Sequence, residues 1–276
     1  MGRRRRGPCR HAMCRSAIET TRTLGGHHLG SISHRTCSRR SKTMTRFRLF
    51  LLTTMILAVM PAPVKAGDLF TGFQIDNKSQ YFGYMGIRTP VLQMRGGTNL
   101  FVQAMTAGLG YSSVSNGRTL DTNVQFIVPS FGISQTFGRV TVSALAGPQL
   151  RRIEEERLNS PSSTDHQIGA FAQVEAMYWH EKGSLHAIGS YADLDNYFWG
   201  RLRGKLLARQ VTSGCCSTYV GWEVAGMGNG DFRAVQTGPL IEVPIGKFHV
   251  LAKSGYQHST SFHSGVYGGV EVYLPF

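Results

Sequence analysis

A two-residue alternation of apolar and polar positions runs through most of this chain and is most regular at its end. From Val266 to Phe276 the sequence reads V-Y-G-G-V-E-V-Y-L-P-F. Val266, Val270, Val272, Leu274 and Phe276 share one face of such a strand, and Tyr267, Glu271 and Tyr273 share the other. Alternation running out to a terminal aromatic residue is how the closing strand of an outer-membrane barrel reads. Eleven further segments show the same period, with Gly, Asn, Asp and Ser between them. They are Leu69 to Asp76, Tyr81 to Thr89, Asn99 to Ser112, Thr119 to Phe137, Val140 to Ile153, Gln167 to His180, Ser184 to Leu194, Tyr197 to Leu207, Cys216 to Gly228, Phe232 to Ile245 and Phe248 to His258. With Phe262 to Leu274 they predict an all-β, antiparallel, up-and-down transmembrane barrel of about twelve strands.

The connections are uneven in the way a barrel requires. Gly138-Arg139, Glu181-Lys182-Gly183 and Gly246-Lys247 are tight, whereas the charged stretch from Glu154 through Arg157 to Asp165 reads as a long loop. Short periplasmic turns and longer outer loops are the expected asymmetry, and an even strand count puts both ends on the periplasmic side. Thr89 to Thr98 and Arg209 to Gly214 are longer than a periplasmic turn should be.

A barrel must be exported, and the sequence carries an export signal. Met44 opens a basic segment with Arg46 and Arg48, followed by an apolar run from Leu49 to Met60 and a small-residue site at Val64-Lys65-Ala66. That run is too short for a membrane-spanning helix. The expected organisation is residues 1–43 as an over-extended start without structure, 44–66 as a secretory signal peptide and 67–276 as the barrel domain.

This division changes what the charge means. The whole chain carries a formal +14, but residues 1–43 hold 11 of the 30 basic residues against Glu19 alone, and residues 44–66 hold three more. The mature part keeps 16 basic and 15 acidic residues, so an arginine-rich nucleic-acid arm is not part of the exported protein and nucleic acid is not an expected partner. Of five cysteines only Cys215 and Cys216 remain, and adjacent cysteines have neither metal-site spacing nor the geometry of an ordinary disulfide. The mean hydropathy of −0.14 suits a barrel, in which only every second side chain meets lipid.

Candidate function lies on the eighth segment. Tyr197, Trp199, Arg201, Arg203 and Lys205 share one face, and Phe198, Leu202 and Leu206 the other. A cation at the hydrocarbon midplane costs about 2–4 kcal/mol, so the charged face lines the lumen. The same parity points Glu175, Glu223, Glu242, Lys253 and Glu271 inward. Two readings follow. The charges cross-pair and fill a narrow barrel, or Tyr197, Trp199, Arg201, Arg203, Lys205, Glu223 and Glu271 form a glucan-contacting track, sugars stacking on the aromatic faces.

The order and spacing of several motifs resemble the family of the cellulose biosynthesis protein BcsS. They are F-T-G-F-Q and Y-F-G-Y-M-G near residue 70, Y-F-W-G-R-L-R-G-K from Tyr197, V-G-W-E-V-A-G-M-G-N-G-D-F-R-A-V-Q-T-G ending at Gly238, and S-G-V-Y-G-G near the end. The resemblance covers nearly all of residues 67–276. It implies a non-catalytic barrel accessory to cellulose synthesis or export, embedded in outer-membrane lipid, with cellulose or other cellulose-synthesis components as partners and no cofactor. An enzymatic alternative is a lipid A deacylase or phospholipase-like barrel using His258-Ser259-Thr260-Ser261 and His263-Ser264 with Glu271 nearby. Against it, His258 and Ser259 point to opposite faces of a strand. A structural or small-solute barrel is the remaining alternative. His180, His186 and His249 fall on separate strands without ligand spacing, so no metal site is expected.

Mass spectrometry of an outer-membrane fraction should find the mature N-terminus at Gly67. Peptides from residues 2–42 on the exported protein would reject the division.

Overall fold

The computed structural model describes residues 67–276 except 79, 116–117, 158–161, 210–216 and 261–263. The expected leader and signal peptide, and the Cys215-Cys216 pair, lie outside the described residues.

Twelve strands alternate up and down: β1 (Asp68–Asp76), β2 (Tyr81–Gln93), β3 (Thr98–Ser115), β4 (Arg118–Phe137), β5 (Val140–Arg157), β6 (Ser163–His180), β7 (Gly183–Ala192), β8 (Tyr197–Arg209), β9 (Thr218–Gly228), β10 (Arg233–Ile245), β11 (Phe248–Ser259) and β12 (Gly265–Pro275). Each pairs antiparallel with its sequence neighbours, and β1 pairs with β12, from Asp68↔Pro275 to Asp76↔Tyr267, so the sheet closes. Reciprocal 2.8 Å hydrogen bonds between the backbones of Gly67 and Phe276 finish the seam. Closure leaves no strand edge unpaired in hydrocarbon, where each unsatisfied backbone group costs several kcal/mol.

Side-chain parity sorts the two faces as expected. On β8 Phe198, Leu202 and Leu206 are exposed on the outer wall, while Arg203 is buried inside. The outer faces of Val140–Leu150 and Ile168–Tyr178 are apolar over eleven residues each, the length a tilted strand needs to cross a bilayer, and that of Ile127–Phe137 is broken only by Gln135. Phe137, Tyr178 and Phe248 stand exposed at the short-turn end, and Tyr191, Phe198 and Tyr256 near the other, marking two aromatic girdles.

Two expectations are corrected here. β2 continues to Gln93, so the connection to β3 is the four-residue turn Met94 to Gly97, made by Gly96 and Gly97 at φ +84° each. The charged stretch read as a loop is mostly strand: Ile153 pairs with Asp165, Glu154 with Thr164 and Glu155 with Ser163. β3 to β6 run 18 to 20 residues against 10 to 13 in β7 to β12, so one wall of the barrel continues past the bilayer. Above the apolar band its outer face becomes polar, with Asp121, Gln125, Arg152, Glu156 and His166 exposed. Water replaces lipid there, and the ladder persists because its hydrogen bonds do not depend on what the outer side chains meet.

Glycine accommodates the curvature at particular cross-strand pairs. Phe101 on β3 lies directly opposite Gly132 on β4, and a Cβ there would come within 2.2 Å of the ring. Phe70 and Gly86 repeat the arrangement between β1 and β2. The missing side chain gives the inward aromatic ring a place to lie flat on the wall.

Leu202 is half-exposed in the middle of the outer face of β8. Leu202→Arg is expected to cost about 2–4 kcal/mol and to reduce the folded, heat-modifiable band on gels of the membrane fraction.

Candidate functional site

The inward row of β8 stands between His186 on β7 and Glu223 on β9, both cross-strand neighbours of Arg203. Arg203 Nε donates to Glu223 Oε2 at 2.8 Å, with Nη2 closer still to the same oxygen, and Nη2 also reaches Glu271 Oε1 on β12 at 2.8 Å. Lys253 Nζ on β11 sits between the same two carboxylates, 2.9 Å from Glu223 and 3.0 Å from Glu271. Arg201 Nη1 approaches Glu271 at 3.3 Å. Towards the short-turn end Lys205 Nζ lies 2.6 Å from Glu242, whose other oxygen is 3.2 Å from His249 Nδ1.

A second group faces this one. Arg88 on β2 donates to Glu175 on β6 at 2.9 Å and to Gln103 on β3 at 2.9 Å, and His186 Nε2 meets the other Glu175 oxygen at 2.8 Å. Arg201 Nη2, 3.4 Å from His186 Nδ1, links the groups. In a ring of twelve strands, β2 to β6 and β8 to β12 are each four strands apart. These ion pairs therefore span the lumen as two struts.

Five cations, Arg88, Arg201, Arg203, Lys205 and Lys253, thus face four carboxylates, Glu175, Glu223, Glu242 and Glu271, leaving one excess positive charge when the histidines are neutral. Glu223 is 1% exposed and Arg203 6%. Charges buried that deeply are tolerated only because they are paired and hydrogen-bonded. Beside this band lies an apolar layer from the inward faces of β3 to β7: Phe101, Val128, Leu145, Phe171 and Ala192, with Met105, Phe126 and Tyr197 against it. The Arg88 guanidinium joins the two, 4.8 Å over the Phe101 ring.

The seven sequence-predicted residues all face inward, but they divide. Arg201, Arg203, Glu223 and Glu271 form the centre of the band, Lys205 pairs with Glu242 below it, and Trp199 lies under Arg201 at 5.5 Å. Tyr197 belongs to the apolar layer and stands 6.2 Å from Phe232. Sequence reasoning missed Arg88, His186 and His249 as band members. Parity could have found Arg88 and His186, since each is flanked by outward residues, Ile87 and Leu185.

The described residues of the enzymatic alternative are not assembled, and Ser261 and His263 lie outside them. Glu271 is held between Arg203 and Lys253 in the band, His258 is exposed on the outer face, and Ser259 is buried on the inner one. His258 Nδ1 does lie 3.0 Å from Ser264 Oγ, but among the described residues no carboxylate contacts that histidine. Among the same residues no three His, Cys, Asp or Glu side chains gather as a metal site would.

No family model matches the chain, and no curated protein matches it. Solved structures do. The transport unit of the autotransporter AIDA-I from Escherichia coli is similar with a TM-score of 0.52 at 10% identity, over 81% of this chain and 96% of that one. The beta domain of the Bordetella autotransporter Brka gives 0.50 at 12% identity, over 76% and 99%. At such identities the likeness concerns the fold. This chain is an outer-membrane β-barrel. The closed twelve-strand sheet and its apolar outer band place it in the bacterial outer membrane.

Glu223→Ala should be strongly damaging, because it leaves the buried Arg203 and Lys253 to share Glu271 with Arg201. The expected loss is about 3–5 kcal/mol of stability, read as a lower midpoint of heat-induced gel mobility change. Replacing Arg203 and Glu223 together by Met should recover part of it.

Proposed function

We propose that this protein is a non-catalytic outer-membrane barrel accessory to cellulose production, closed at rest. The observation that carries the closed state is the pair of struts, Arg88 to Glu175 and Arg201 with Arg203 to Glu271, spanning the lumen beside a layer of packed apolar side chains. An open conduit for a glucan would need free polar groups along a continuous passage. Here the guanidinium and ammonium groups are engaged with carboxylates, and the face of Trp199 is covered by Arg201.

The assignment to cellulose rests on the sequence resemblance. Its two most extended motifs coincide with the band: Tyr197 to Lys205 contains the inward row of β8, and Trp222 to Gly238 contributes Glu223 from β9. A filled, nearly neutral lumen supports the packing account of the charged residues over a glucan track, so the barrel would serve the envelope as a scaffold for other cellulose-synthesis components.

Deleting the gene should lower secreted cellulose, and the wild-type chain should restore it. Unchanged secretion in the deletion strain would overturn the cellulose assignment. Trp199→Ala, checked for a folded, heat-modifiable barrel, should leave cellulose output at the wild-type level. A clear fall with that variant would show that the aromatic face contacts glucan after all.

A further inference from the structure

The two struts meet at one imidazole. His186 Nε2 lies 2.8 Å from Glu175 Oε1 and Nδ1 lies 3.4 Å from Arg201 Nη2. A carboxylate already paired with Arg88 accepts, so Nε2 carries the hydrogen. A guanidinium only donates, so Nδ1 offers its lone pair. With the hydrogen on Nε2 and the lone pair on Nδ1, both contacts of the ring are satisfied at once.

The groups facing it come from several strands. Glu175 approaches from β6, Arg201 and its cross-strand neighbour Arg203 from β8, and Arg88 from β2 behind Glu175. Behind Arg201 stand Glu271 on β12 and the Tyr84 hydroxyl on β2, and behind Arg203 stands Glu223 on β9, itself paired with Lys253 on β11. On its own strand the inward neighbours Ser184 and Ile188 carry no charge.

We propose that His186 is a proton-sensitive joint whose protonation at Nδ1 parts the two struts and opens the lumen. The inference rests on the closed resting state argued above. A hydrogen on Nδ1 would turn the Arg201 contact into donor against donor and cation against cation. Arg88 and a charged His186 would then share the one carboxylate of Glu175, with Arg201 held against the other ring nitrogen, in a band that already holds an excess positive charge. Arg201 has somewhere to go, since Glu271 lies on its far side. His249 works in the opposite sense: its partner is the carboxylate of Glu242, so a proton there strengthens its contact. Histidine is the side chain that ordinarily changes charge between about pH 5 and 8, so the device answers acidification of the envelope. The surplus of cations along the opened passage favours anions.

The test is chloride conductance of the purified full chain in planar bilayers at about pH 7.5 and about pH 5. Wild type should be closed at the higher pH and should gain about tenfold or more in conductance at the lower, a population shift of about one factor of ten. His186→Gln should stay closed at both, His186→Lys should conduct at both, and His258→Gln, outside the lumen, should behave as wild type. Each sample is first checked for heat-modifiable mobility. Should His186→Lys fail to fold, wild type against His186→Gln decides alone. A folded wild type closed at both pH values, or a pH response surviving in His186→Gln, overturns the joint and leaves the closed barrel standing. A wild type open at about pH 7.5 overturns the closed resting state instead.

Discussion

Everything in this molecule follows from the cost of an unpaired backbone amide in hydrocarbon. A single strand, or an open sheet, leaves such groups at its edges, and twelve antiparallel strands closed by the β1 to β12 seam leave none. Closure also creates an inside. Alternate side chains are forced into it whatever their chemistry, and the rest of the structure is the arrangement of what was forced there.

What the interior receives is half apolar and half ionic. The β3 to β7 side contributes the layer around Val128, packed as a soluble core is packed. The β7 to β12 side contributes charges that water would solvate better, and they are held by geometry: one carboxylate, Glu223, collects Arg203 and Lys253, and a second, Glu271, ties the same cations together with Arg201. Such pairs roughly offset their own desolvation and add little net stability, yet removing one member is costly. That asymmetry suits a closure that one change can release. It is robust while complete and sensitive to a single proton or a single lost partner, and His186 is where that sensitivity concentrates.

The tall wall of β3 to β6 shows the limit of lipid as an organising solvent. Inside the bilayer the outer face must be apolar, as at Ile127, Phe131 and Ile168. Beyond it, Asp121, Arg152 and Glu156 are tolerated on the same face of the same strands. The hydrogen-bonded ladder between strands does not register the change.

Face assignment was legible in the sequence because it is local. Period two is a property of each strand alone, so Arg201, Arg203, Glu223 and Glu271 could be placed inside, and Leu202 and Leu206 outside, without knowing any neighbour. Strand number and most turns were legible for the same reason. The outer ends of β5 and β6 were not, because Glu154 to Glu156 alternates between water and a polar interior and so carries no apolar signal. Partner choice was decided only by the closed structure. Whether Arg88 meets Glu175, or Arg203 meets Glu271, depends on the stagger and circumference that bring strands four apart within reach of one another across one lumen. No spacing along the chain encodes a distance across a barrel, and that distance is what turns an alternating pattern into a plug.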